Sequence, residues 1–169
     1  MEPLELYEHS LSAPLDDLVV PSVQTMPPAS VTSWRLPDAD LRAYRRWGLP
    51  VIAPSELRPS FDAVIEDEDR VYYRLGTLSH ADLVTAADTG TVEGFSTLET
   101  ATVPRYWVNG SGALLVETAW RWYGVNTALR AAPFDDETYD RLDRFFELVR
   151  EKDPTVGEDS LWWGLVEGW

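Results

Sequence analysis

The chain has 169 residues, a formal net charge of −15 and no cysteine. That length suits one domain with a substantial core, and the missing cysteines exclude disulfides, thiolate chemistry and cysteine-bound zinc. A surplus of negative charge repels nucleic acid and anionic membranes and favours a basic protein partner, although acidity also serves plain solubility.

The opening residues Met1 to Glu5 are acidic and lack both the basic leader and the apolar stretch of a signal peptide, and no run approaches the roughly 20 apolar residues of a membrane span. A cytoplasmic protein is expected. Pro14, Pro21, Pro27 and Pro28 break up residues 1–33, which read as a partly irregular N-terminal extension. Leu15, Leu18, Val19 and Val20 could supply one short strand there.

Residues 34–169 read as the folded domain. Asp38 or Asp40 can cap a helix that runs through Trp47, with Gly48 as its stop and Pro50 blocking continuation. Phe61 to Ile65 and Arg70 to Leu78 are rich in Val, Ile, Tyr and Phe, and the acidic run Glu66-Asp67-Glu68-Asp69 reads as the turn of a hairpin. Asp82 to Ala87 and Thr91 to Ser96 are two further strands around the turn Asp88-Thr89-Gly90, where Gly90 can take positive φ. Thr102 to Val108 is the last strand candidate.

That strand delivers the chain to a helix start, where the Asn109 amide can cap the first free N–H groups, or Ser111 instead. Leu114, Leu115, Thr118, Ala119 and Trp122 give the helix a broad apolar face, with Glu117 and Arg121 on another. Past Pro133, the residues Tyr139, Leu142, Phe145, Phe146 and Val149 recur at helical spacing to about Lys152, and Asp153-Pro154 ends that helix. A short amphipathic helix follows from Ser160. The order of elements predicts an α+β single domain: a mostly antiparallel twisted sheet with helices packed on one face and at the termini.

Of the eight tryptophans, Trp107, Trp120, Trp122, Trp162 and Trp163 suit a core, and Trp163, opposite Trp162 and Val166, is the one expected to reach solvent. Catalytic readings find little support. His9 and His80 are the only histidines, no serine has a base within its motif, and no Gly-rich phosphate loop is present. Asp67 and Asp69 lack the ligand spacing of a calcium loop. The expectation is a protein that is not an enzyme and needs no cofactor or metal.

Four stretches in order carry a family resemblance. Leu41-Arg42-Ala43-Tyr44-Arg45-Arg46-Trp47-Gly48-Leu49-Pro50, with Leu36-Pro37 before it, is similar to an N-terminal helix ending in Gly-Leu-Pro. Arg105-Tyr106-Trp107-Val108-Asn109-Gly110-Ser111 resembles an aromatic-Val-Asn-x-Ser segment before a helix, and Asp153-Pro154 with Ser160 to Glu167 resembles an Asp-Pro pair and a late tryptophan-bearing helix. Together they resemble the SUKH superfamily of bacterial immunity proteins, in particular its fourth subgroup, over residues 34–169. Gly110 and Gly112 depart from the pattern, where the family more often has a second Ser and a Leu.

The resemblance implies a SUKH-like fold and an immunity protein of a polymorphic toxin system. Such a protein binds a cognate toxin, often a nuclease or nucleic-acid deaminase, and blocks it by contact alone. A basic toxin would then meet an acidic loop, and Glu66, Asp67, Glu68, Asp69 and Asp88, with Trp163, are the candidate partner contacts. The acidic run also fits a solvated turn. The alternative is a non-catalytic regulatory or scaffold module, or an acidic mimic of DNA.

Overall fold

The computed structural model describes residues 1–52, 56–101 and 104–169. Strands β3 (Leu57–Asp67), β4 (Arg70–Leu78), β5 (Ala81–Ala86), β6 (Val92–Ser96) and β7 (Arg105–Asn109) form an antiparallel meander, each paired with its sequence neighbour. Strands β1 (Gln24–Thr25) and β2 (Leu49–Pro50) pair as a small second sheet. The expected α+β architecture is present, with helices against one face of the larger sheet. The part of the last strand candidate at residues 102 and 103 lies outside the described residues.

Tyr73, Leu75 and Leu83 project from the sheet into the main core, where they join Leu115, Trp120 and Trp122 of α4 (Gly112–Ala131). This helix is the centre of the domain. Contrary to the expected amphipathic pattern, it is buried on nearly every side, as the helix at the middle of a domain must be. Even Arg121 is enclosed. Its guanidinium is satisfied by the carbonyls of Ser10, Leu11 and Ala13, at 2.9, 3.0 and 3.2 Å, and by Glu117 at 2.9 Å.

Those three carbonyls belong to the end of α1 (Pro3–Ser12) and the residue after it. Pro3 at the first helical position and a capping box between Glu2 and Glu5 start α1, and Tyr7 and Leu11, one turn apart, bury its inner face. The Tyr7 hydroxyl donates to the Arg141 carbonyl at 2.8 Å, and burial pushes its pKa up to about 12. The short strand expected around Leu15 to Val20 is not formed. Leu15–Leu18 is a helical turn, α2, because Leu18 is drawn into the core beside α4.

Helix α3 (Asp38–Trp47) ends at Gly48, as its sequence predicts, but neither aspartate caps it; Pro37 stands at the cap position. Asp40 serves a different helix. Its buried carboxylate accepts from the Ala113 amide at 2.9 Å, in the first turn of α4. Ser111, not Asn109, is the cap residue of α4, its hydroxyl accepting from the Leu114 amide at 3.2 Å. Gly112 answers a close approach, since a Cβ there would lie 2.4 Å from the Tyr44 hydroxyl. Helices α5 (Asp136–Lys152) and α6 (Leu161–Glu167) complete the helical layer.

Candidate functional site

The β3–β4 hairpin is longer than the strands it precedes, and irregular pairing bends it. Its register shifts between Pro59 and Ala63, where Phe61 has φ 50°, and again between Arg74 and Gly76. The bent hairpin curls over the sheet face that carries no helices. Tyr72, Val84 and Ala86 are buried beneath it with Ile65 and Phe95 alongside, and the Tyr72 and Phe95 rings meet edge to face at 4.9 Å. A second, smaller core results.

The curl brings the two outer strands of the meander together. Asp67, at the end of β3, forms an ion pair with Arg105 at the start of β7, and the Arg105 guanidinium lies over the Phe95 ring, 4.9 Å from its centroid. Asp67 therefore works as a clasp whose charge is already matched. Its neighbours Glu66, Glu68 and Asp69 are exposed, and Glu68 turns the chain with φ 54°. The acidic run is thus a hairpin tip, as expected, but its four carboxylates do not act alike.

The tip stands beside the β5–β6 turn. Between them is a cleft of about 510 Å³ whose lining includes Asp69, Arg70, Asp88, Glu93 and Trp107, with Arg35 at its mouth. In the turn, Asp88 has φ 69° and Gly90 φ 75°, the left-handed conformation expected for Gly90. The Asp88 carboxylate pairs with Arg35 at 3.3 Å, and the Asp88 amide donates to the Arg35 carbonyl at 2.6 Å. Burial raises the pKa of Glu93, and the charge of Arg70 partly offsets this. The structure therefore brings Asp69 and Asp88 together across one cleft. Glu93 and Trp107 were absent from the sequence-derived set because only the curl of the hairpin makes them its neighbours.

Trp163 is elsewhere. It lies on α6, half-buried, with its ring packed on Phe146 of α5 at 4.8 Å, so it is less open than expected. His9 lies on α1 and His80 in the turn between β4 and β5. Among the described residues, no group of three or more His, Cys, Asp or Glu is placed to hold a metal ion, and no helix is long and apolar enough to cross a membrane.

Four of the motif residues, Asn109, Gly110, Asp153 and Trp162, form a structural node. Asn109 is fully buried, and its Nδ2 donates to Asp153 Oδ2 at 3.0 Å while its Oδ1 accepts from the Trp162 indole at 2.9 Å. The Gly110 amide donates to the same Asp153 oxygen at 2.8 Å. The helix-opening segment, the Asp-Pro pair and the late tryptophan are thus one hydrogen-bonded unit.

Comparison with curated proteins and with solved structures finds no match. The SUKH-4 immunity protein family matches residues 11–167, nearly the whole chain and each of the motif residues in that node. The chain belongs to the SUKH-4 immunity protein family.

Proposed function

We propose that this immunity protein binds a cognate bacterial toxin in the cytoplasm and neutralises it by contact alone, without turnover. The toxin is a basic protein, of the nuclease or nucleic-acid deaminase class. One observation carries this reading: most of the arginines are paired with carboxylates of the chain itself, among them Asp16, Asp62, Asp82 and Glu56. With 29 acidic against 14 basic residues, carboxylates outnumber the cations that could pair with them, and among the described residues Glu66, Glu68 and Asp69 are exposed. A surface of that kind steers a basic protein toward it and repels its nucleic-acid substrate equally well.

The hairpin tip is the part best shaped to enter a basic cleft. Glu66, Glu68 and Asp69 project from it, Asp88 faces Asp69 across the cleft, and Asp67 fixes the tip through Arg105. Trp163 is a further contact, on the helical side. Co-expression with the product of the gene immediately upstream tests the function: rescue of growth with a purified complex supports it. Affinity for unrelated DNA-binding proteins instead would mark an acidic mimic of DNA.

A further inference from the structure

The helical side of the domain carries a groove and a charged ridge that the hairpin-tip reading does not use. The groove, about 790 Å³, lies between the end of α4 and α6, and Leu129, Phe134, Leu165 and Trp169 supply its apolar lining. The cation in its described lining is already matched, because Arg130 pairs with Glu56 at 3.1 Å and lies 4.9 Å over the Trp169 ring. Phe134 stands on the rim, 64% exposed, edge to face at 5.5 Å with Tyr139, which is 54% exposed. Among the described residues, these are the two large aromatic side chains left exposed.

Tyr139 shares a face of α5 with Phe146, two turns on, and Phe146 carries Trp163. Phe146 is itself buried and Trp163 half-buried, so the exposed aromatic surface is the Phe134–Tyr139 pair at the rim of the groove. Beside it, Asp136, Asp140, Asp143 and Glu147 repeat at four, three and four residues, which aligns them in one stripe about 16 Å long. All four are exposed, and none has an ion-pair partner among the described residues. Arg141 and Arg144, on the same helix, are occupied by Asp135, Glu137 and Glu8.

This arrangement works against the free protein. Like charges one turn apart destabilise a helix, and exposed aromatic rings beside an apolar groove leave surface wetted that burial would stabilise. Both costs are relieved by one kind of occupant, and a second copy of this chain is not it, since that would set one acidic ridge against another. We infer that this face docks a basic amphipathic helix of a protein partner. The helix's apolar side fills the groove against Phe134 and Tyr139, and its Lys or Arg flank lies along Asp136, Asp140, Asp143 and Glu147. The surface lies on the far side of the sheet from the hairpin tip, so it stands or falls independently of the toxin contact assigned there.

The test uses the full chain and a synthetic amphipathic peptide as long as α5, with a leucine stripe flanked by lysines, at moderate salt. Hydrogen exchange should show protection confined to residues 130–147 and 161–169. The charge-neutral double variant Phe134→Ser/Tyr139→Ser, whose two side chains are exposed, should keep its fold and weaken binding about tenfold or more, as loss of aromatic anchors does. Asp140→Lys/Asp143→Lys should weaken it as well. No binding, protection centred on the hairpin tip or spread over every acidic surface, or unchanged affinity in the aromatic variant would each overturn the inference. So would self-association of the chain through this face.

Discussion

Asn109 and Asp153 are separated by 44 residues and meet in the core, where the asparagine amide donates to the aspartate carboxylate at 3.0 Å. The bond joins the end of β7 to the residue that closes α5, and the Trp162 indole completes it from α6. Both polar groups are buried, and the Gly110 amide adds a second donor to the same Asp153 oxygen.

Replacing Asn109 by Ala should therefore cost about 3 kcal/mol, because it strands the Trp162 N–H in a buried setting and takes from Asp153 Oδ2 one of its two donors. Asp153→Ala should cost a similar amount. A double-mutant cycle read by urea unfolding should show strong coupling, with the pair costing much less than the sum. Additive losses would mean that the node is not one unit.

The Asp67–Arg105 clasp should behave differently. Both side chains are more than a third exposed, so Asp67→Asn should change global stability by no more than about 1 kcal/mol. Its effect is local: amides of residues 64–73, at the curled end of the hairpin, should exchange faster. Glu66→Lys/Glu68→Lys/Asp69→Lys should leave exchange and unfolding unchanged and cut toxin affinity at least tenfold. Unchanged affinity in that triple variant would remove the hairpin tip from the interface.

Much of this was legible in the sequence. Gly48, Gly90 and Pro133 mark chain reversals by their own stereochemistry, and the Val, Tyr and Leu residues of 70–78 write a strand into local composition. Long-range partnership was not legible. Asn109 reads as a helix cap because the short amide before a helix usually is one, and only Asp153 and Trp162, far along the chain, draw it inward. Asp40 was likewise assigned to its own helix and serves α4 instead. The departures from the family pattern at Gly110 and Gly112 have their reasons in space: one faces Thr155 and Asp153, and the other admits the Tyr44 ring. The candidate cleft depends on the curl of the hairpin, which comes from register shifts that period-two alternation does not record. Residues 3–12 carry only a sparse apolar stripe, and packing on α4 buries that one face of the helix they form.

Two carboxylates should shape stability at acid pH in opposite senses. Burial pushes the Asp40 carboxyl up from its ordinary 3.8, against the hydrogen bonds from Ala113 and Gly112. The folded chain thus holds that proton more tightly than the unfolded chain, so this contribution is greatest at low pH and declines as pH rises through the folded value. Asp40→Asn should flatten that decline.

Glu117 is the counterpart. Burial acts to raise its pKa, but the hydrogen bonds and charges of Lys152 and Arg121 outweigh this and hold it below the ordinary 4.5. Its contribution is complete above the unfolded value and lost as pH falls through the folded one. Glu117→Gln should remove that acid loss and cost on the order of 2 kcal/mol at neutral pH, since the enclosed Arg121 loses its counter-charge. Denaturant midpoints across the acid range check both variants, and identical pH profiles for parent and variants would contradict them.

Complementary charge should speak through rate. Association with the toxin should slow steeply as salt is raised, while dissociation, set by buried contacts, should change little. Stopped-flow binding at several ionic strengths separates the two.

The most direct measurement is co-expression of this chain with the product of the gene immediately upstream, scoring growth and co-purification together. The account predicts that the upstream product is toxic alone, that this chain restores growth, and that the two purify as a complex weakened by charge reversal at Glu66, Glu68 and Asp69. A toxic upstream product that this chain neither binds nor relieves would contradict it.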